Sequence, residues 1–179
     1  TPAAIGYAMG SGIPYCEGLI KNRYVGRTFI QPDQSMREIE VALKLNPLKH
    51  VVRGKELVIV DDSIVRGTTS KIIIEALREI GAKKVHLRVA SPPVKYPCHF
   101  GINTPTAGEL IGAQELVENI RKKVGADSVD YISKDGLLQA AGILAGQKSS
   151  FCTACFCGNY PMDVERIQGG SASERSFNI

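Results

Sequence analysis

Residues 58–70 read VIVDDSIVRGTTS. The run Leu57-Val58-Ile59-Val60 is apolar at every position, which suits a parallel strand buried on both faces. Asp61 and Asp62 end it. A polar loop follows, and a helix is expected from about residue 69. In that helix Ile73, Ala76, Leu77 and Ile80 keep the i, i+3, i+4, i+7 spacing of one apolar face, and Gly81 supplies the stop.

The chemistry of the stretch has two halves. Ligands of open α/β sheets sit beyond the carboxyl ends of the strands, where Asp61 and Asp62 stand. Helix N-termini present N–H groups and partial positive charge, which favour phosphate. Gly67 lets a backbone approach an anion, and Ser63, Thr68, Thr69 and Ser70 can donate from their hydroxyls. The aspartates would repel that phosphate. They suit sugar hydroxyls or a hydrated Mg²⁺ instead. Together the halves predict a sugar phosphate. The structural alternative is that Thr69 or Ser70 merely caps the helix and Asp-Asp is a solvated strand end. Neither G-x-x-x-x-G-K-[ST] nor G-x-G-x-x-G occurs, so neither a Walker loop nor a dinucleotide fold is supported.

Outward from this stretch the chain alternates. Residues 3–10 read as a short helix ended by Gly10 and Gly12, and IPYCEGLI as a strand of four to six residues. KNRYVGRTFIQP, 21–32, has no clean period and reads as a loop. Residues 34–44 are helix-like, and Asn46-Pro47 interrupts them. KVHLRVA, 84–90, alternates Val85, Leu87 and Val89 against His86 and Arg88 as a strand does, and SPP and YP then break the chain. A second amphipathic helix over 114–124 closes at Gly125. SVDYI is a short strand, and 134–145 a third helix. The alternation indicates an α/β fold with a mainly parallel sheet. The pattern fails from about 146, and GGSASERS near the end reads as disordered.

The chain has 179 residues, 44% hydrophobic and 22% charged, enough for one full-sized domain with a real core. No apolar run approaches the roughly 20 residues that cross a bilayer, and the first residues lack a signal-peptide pattern, so a membrane role is not expected. A net charge of +4 without a dense basic run fits an anionic small molecule better than nucleic acid. Thr1 could in principle act as an N-terminal nucleophile, but a start at Thr rather than Met reads as a segment of a longer polypeptide. The five cysteines, at 16, 98, 152, 155 and 157, argue against a disulfide framework. The run FCTACFCG contains C-x-x-C plus a third thiol and points to metal or redox chemistry. Cys98 could complete such a site in space, for zinc or for an iron–sulfur cluster. His86 and His99 read as structural.

VIVDDSIVRGTTS resembles the phosphoribosyl-pyrophosphate (PRPP) motif of type I phosphoribosyltransferases. With GLIKNRYVGRTFIQP, SPPVKYPCHFGINTP, ELIGAQELVENIRKKVGADS and FCTACFCGNYP, the resemblance narrows to the iron–sulfur family of glutamine PRPP amidotransferases over about residues 3–165.

The resemblance implies a type I phosphoribosyltransferase fold over 1–145, incomplete at its N-terminus, a cluster-binding extension over 146–166, and a disordered tail over 167–179. It implies that Asp61 and Asp62 hold the ribose hydroxyls and Mg²⁺, and that Ser63, Val65, Arg66, Gly67, Thr68, Thr69 and Ser70 belong to the 5-phosphate loop. Lys21, Arg23, Tyr24 and Arg27 would lie on a loop that closes over the pyrophosphate, with Gly26 assisting its motion. Cys98, Cys152 and Cys155 would bind a [4Fe–4S] cluster whose fourth ligand lies upstream, leaving Cys16 and Cys157 as packing thiols. The activity implied is transfer of ammonia, taken from glutamine by a separate glutaminase domain, to C1 of PRPP. This gives 5-phosphoribosylamine, the first committed step of purine biosynthesis. A homo-oligomer, a cytoplasmic location and purine-nucleotide feedback are implied with it. The competing expectation is a non-catalytic regulator that senses PRPP with the same fold. The closing-loop residues and the C-x-x-C favour the enzyme.

Overall fold

Three parallel strands form the sheet at the centre of the chain. A computed structural model describes residues 1–21, 45–104, 106–143 and 151–164. The elements are α1 (Pro2–Ser11), β1 (Leu19–Lys21), β2 (Leu45–Pro47), α2 (Lys49–Val52), β3 (Glu56–Asp61), α3 (Thr68–Glu79), β4 (Lys84–Val89), a 3₁₀ turn (Ala107–Glu109), α4 (Ile111–Gln114), α5 (Val117–Val124), β5 (Ser128–Tyr131), α6 (Lys134–Ala140) and α7 (Ala154–Cys157). Arg23, Tyr24, Gly26 and Arg27, the helix read over 34–44 and the tail over 167–179 lie outside the described residues.

The sheet runs β3-β4-β5, with Leu57 opposite Val85, Asp61 opposite Val89 and Val89 opposite Tyr131. Parallel neighbours need crossovers, and α3 and α5 supply them. The alternation read in 84–90 is realised: Val85, Leu87 and Val89 are buried while His86 and Arg88 are only partly covered. Against them α3 packs Ile74 and Leu77, and α5 packs Ile120 and Val124. Asp127 ties three elements together. Its carboxylate accepts from the Val85 amide at 2.7 Å and from Arg78 of α3 at 2.8 Å, and Arg78 also donates to the Gly125 carbonyl.

Several sequence expectations need correction. Leu57 to Val60 of β3 are half-buried rather than buried on both faces. Among the described residues β3 is an edge strand, and a groove of about 770 Å³ opens between it and α1. IPYCEGLI yields only Leu19–Lys21 as strand. Its partner is Leu45–Pro47, so Asn46-Pro47, expected as a break, is an antiparallel strand with Leu19 opposite Pro47. Proline lacks an N–H, and the end of a two-stranded ladder tolerates that. The helix expected over 114–124 is two helices, because Glu115 and Leu116 are extended. The third helix stops at Ala140 rather than 145. Its start is fixed by Ser133, whose hydroxyl accepts from the Gly136 amide at 3.0 Å. Among the described residues no helix is long and apolar enough to cross a membrane.

Candidate functional site

β3 delivers Asp61 to the carboxyl end of the sheet, where the Ala90 amide holds its carbonyl at 2.9 Å. The Asp61 carboxylate accepts from the Asp62 amide at 3.0 Å. Burial pushes the Asp61 carboxyl above the ordinary carboxylate range. The Asp62 charge pushes the same way, and the Asp62 amide opposes them. Asp62 is exposed, and its Oδ1 accepts from the Ser63 hydroxyl at 3.1 Å. Two adjacent carboxylates, one solvated, suit a hydrated Mg²⁺ that takes its remaining ligands from substrate and water.

The loop is anchored before it reaches the helix. Ile64 is buried in the core, and Val65 accepts through its carbonyl from the Ile111 amide at 2.9 Å. Gly67 adopts φ +81°, a conformation that disfavours any side chain, and a Cβ there would lie 3.1 Å from Ile111 Cδ1. Gly67 is itself the N-cap residue. Neither Thr69 nor Ser70 caps the helix, so that structural alternative fails. The first helical hydrogen bond runs from the Lys71 amide to the Gly67 carbonyl at 3.0 Å, which sets the amides of residues 68–70 at the open end of α3. Ser70 is buried with Ile74 and Leu77, so its hydroxyl belongs to the core side and its amide to the loop.

The cysteines of the 151–158 turn lie beside the segment after Pro92-Pro93. The Cys155 carbonyl accepts from the Lys95 and Tyr96 amides at 2.9 and 3.0 Å. Cys98 donates its amide to Thr104 Oγ1 at 2.6 Å, and its sulfur accepts from the Phe100 amide at 3.4 Å. Burial raises the Cys155 thiol; a backbone hydrogen bond opposes it, and Cys98, Cys152 and Cys157 push the same way as burial. Cys157 is turned back on its own turn and donates to the Thr153 carbonyl at 3.3 Å. Cys16 is exposed and apart from this group.

Comparison with known proteins bears on both regions. The amidophosphoribosyltransferase of Synechococcus elongatus is 55% identical over 163 residues, covering 91% of this chain and 32% of that enzyme. A solved glutamine PRPP amidotransferase from B. subtilis, complexed with ADP and GMP, superposes with a TM-score of 0.76 at 53% identity, covering 90% of this chain and 36% of that one. This chain is homologous to a third of amidophosphoribosyltransferase. A solved structure of the allosteric regulatory enzyme of purine biosynthesis also matches, at 52% identity and a TM-score of 0.76 over 92% of this chain and 36% of that one. No protein-family model matches the chain. The parallel sheet with its flanking helices is the α/β fold of type I phosphoribosyltransferases, and the relatives are enzymes rather than regulators.

Among the described residues no three His, Cys, Asp or Glu side chains lie close enough to hold a single metal ion. Cys98, Cys152 and Cys155 do not form such a group, although thiolates are the donors an iron–sulfur cluster takes. His86 Nδ1 lies 2.8 Å from Ser128 Oγ, and His99 packs edge-on against Tyr160. Lys21 ends β1, and the residues expected to form the closing loop beyond it lie outside the described residues. Sequence reading missed Glu109 and Ile111, which hold the phosphate loop from more than 40 positions away. No local pattern marks them.

Proposed function

We propose that this chain is the PRPP-binding part of an amidophosphoribosyltransferase, with the phosphoribosyltransferase domain over 1–145 and a cluster-binding extension over 146–166. The observation that carries it is the run from Asp61-Asp62 through an αL Gly67 into the start of α3, within a segment 55% identical to that enzyme. The amides at the start of α3 bind the 5-phosphate, and Ser63, whose hydroxyl donates to Asp62, orients that carboxylate. Asp61 and Asp62 orient the ribose by accepting from its hydroxyls, and their charge favours the cationic sugar of the transition state. Mg²⁺, held beside Asp61 and Asp62, neutralises the pyrophosphate oxygens when bound.

The nitrogen lone pair of ammonia forms the C1–N bond as the C1–O bond breaks. The bonding electrons leave with pyrophosphate, and the ammonium nitrogen gives up a proton to give 5-phosphoribosylamine. Ammonia needs no strong base, so positioning dominates. Lys21, Arg23, Tyr24 and Arg27 supply cations and a closing loop for the departing pyrophosphate, a role resting on the resemblance of their sequence. Cys98, Cys152 and Cys155 hold a [4Fe–4S] cluster with one further thiolate from outside this chain. The remainder of the polypeptide draws ammonia from glutamine, in a cytoplasmic homo-oligomer. Purine nucleotides inhibit it, in keeping with the ADP and GMP bound to the B. subtilis relative. The reaction is the first committed step of purine biosynthesis.

The test is pyrophosphate release by the full-length protein from PRPP, with Mg²⁺ and either ammonium or glutamine. Turnover dependent on the nitrogen donor is expected. Absence of turnover with both donors overturns the reading.

A further inference from the structure

Three consecutive residues of the phosphate loop each touch one turn far away in sequence. The Val65 carbonyl accepts from the Ile111 amide at 2.9 Å, Arg66 Nε donates to Glu109 Oε2 at 2.7 Å, and Gly67 lies against Ile111 Cδ1. The hydroxyl of Thr106 lies 3.5 Å from the other oxygen of Glu109 and helps orient that carboxylate.

The peptide geometry gives this contact a direction. The Val65–Arg66 peptide is trans, so its N–H points opposite to its C=O. The carbonyl is turned to Ile111, and the Arg66 amide therefore faces away from the 109–111 turn. The Arg66 side chain goes the other way, to Glu109. The basic residue of the loop is thus drawn off to an anchor, and backbone amides remain on the opposite side. With the side chains 34% and 49% exposed, the ion pair contributes little to global stability. Its effect is on where the loop sits.

We infer that Glu109 is a positioning residue for the phosphate loop, and that Arg66 serves as its anchor rather than as a side-chain ligand of the phosphate. The inference rests on reading residues 63–70 as the 5-phosphate site. A loop held by Glu109 and Ile111 keeps its amides fixed before the anion arrives, so less ordering remains to be done on binding.

The experiment compares Glu109→Gln, Arg66→Ala and the double variant in the full-length protein. One readout is the KM for PRPP and kcat with ammonium as nitrogen donor. The other is calorimetric binding of ribose 5-phosphate, which reads the loop without the reaction. Each single variant is expected to weaken ribose 5-phosphate binding and raise the PRPP KM by about three- to tenfold, with kcat and thermal midpoint nearly unchanged. The double variant should be no worse than either single one, because both break the same link. Glu109→Asp should recover part of the loss. Unchanged or tighter binding in Glu109→Gln, with weaker binding in Arg66→Ala, would show that Arg66 grips the phosphate directly and overturn the inference. A fall in kcat and thermal midpoint alongside KM would overturn it too, as a purely structural role. Wild-type protein that binds ribose 5-phosphate in the expected variant-dependent way yet turns over no PRPP would remove the proposed reaction and leave the loop inference standing.

Discussion

The amide of Asp62 donates to the carboxylate of Asp61 across 3.0 Å, so two like charges share one turn at the end of β3. Burial and the Asp62 charge hold the Asp61 carboxyl above its ordinary value of 3.8. A folded value above the unfolded one means that ionised Asp61 costs stability above the raised value, and the cost disappears as pH falls toward 3.8. The arrangement is kept at the expense of the fold, as binding sites often are.

Asp61→Asn with Asp62→Asn should therefore separate stability from activity. Thermal unfolding at pH 7 should be unchanged or shifted upward. PRPP-dependent ammonia transfer should fall by about a hundredfold or more, given the worth of hydrogen bonds to charged groups, while glutamine hydrolysis by the full-length protein stays measurable. Transfer at wild-type rate in the double variant would sink the assignment of these residues.

Asp127 behaves in the opposite sense. The Val85 amide first, and then Arg78, hold its carboxyl below the ordinary 3.8. A depressed folded value contributes stability above 3.8 that is lost as pH falls through the lower value. Asp127→Ala should cost about 1–2 kcal/mol at pH 7, discounted for partial exposure. Urea titrations should show the gap from wild type narrowing below pH 4. A gap constant from pH 7 to pH 2 would refute the linkage.

Tyr131 closes β5 with a buried hydroxyl that has no hydrogen-bond partner among the described residues. Burial pushes its pKa up to about 12. Tyr131→Phe removes an unsatisfied polar atom and keeps the ring, so stability should be unchanged or rise by up to about 1 kcal/mol. A loss larger than that, measured by denaturant unfolding, would reveal a partner for the hydroxyl.

The cysteines can be tested by metal content. Full-length protein prepared without oxygen should be brown and carry about four irons per chain. Cys155→Ser should lose them. Cys157→Ser should keep them, since that thiol is engaged with Thr153. A colourless protein loaded with zinc would contradict the cluster.

The parallel α/β plan was legible in residue order alone. Strand, helix and strand over 56–89 follow from the apolar run, from the helical spacing ending at Gly81 and from the alternation of Val85, Leu87 and Val89, all of them local periodicities. The local geometry of 61–70 was legible too, because a carboxylate pair, a glycine turn and a helix start follow one another within ten residues. What the tertiary structure decided is where distant segments meet. Half-exposure of β3 depends on which strands lie beside it, and the short β1–β2 ladder depends on pairing across 23 intervening residues, from Lys21 to Leu45. Glu109 and Ile111 reach the 63–70 loop through the Arg66 ion pair and the Val65 carbonyl, and the 95–96 segment meets Cys155 because its two amides bind the Cys155 carbonyl. Periodicity records which side of an element is apolar. It carries nothing about which remote residue will stand against that side, and here the hold on the phosphate loop is set by such residues.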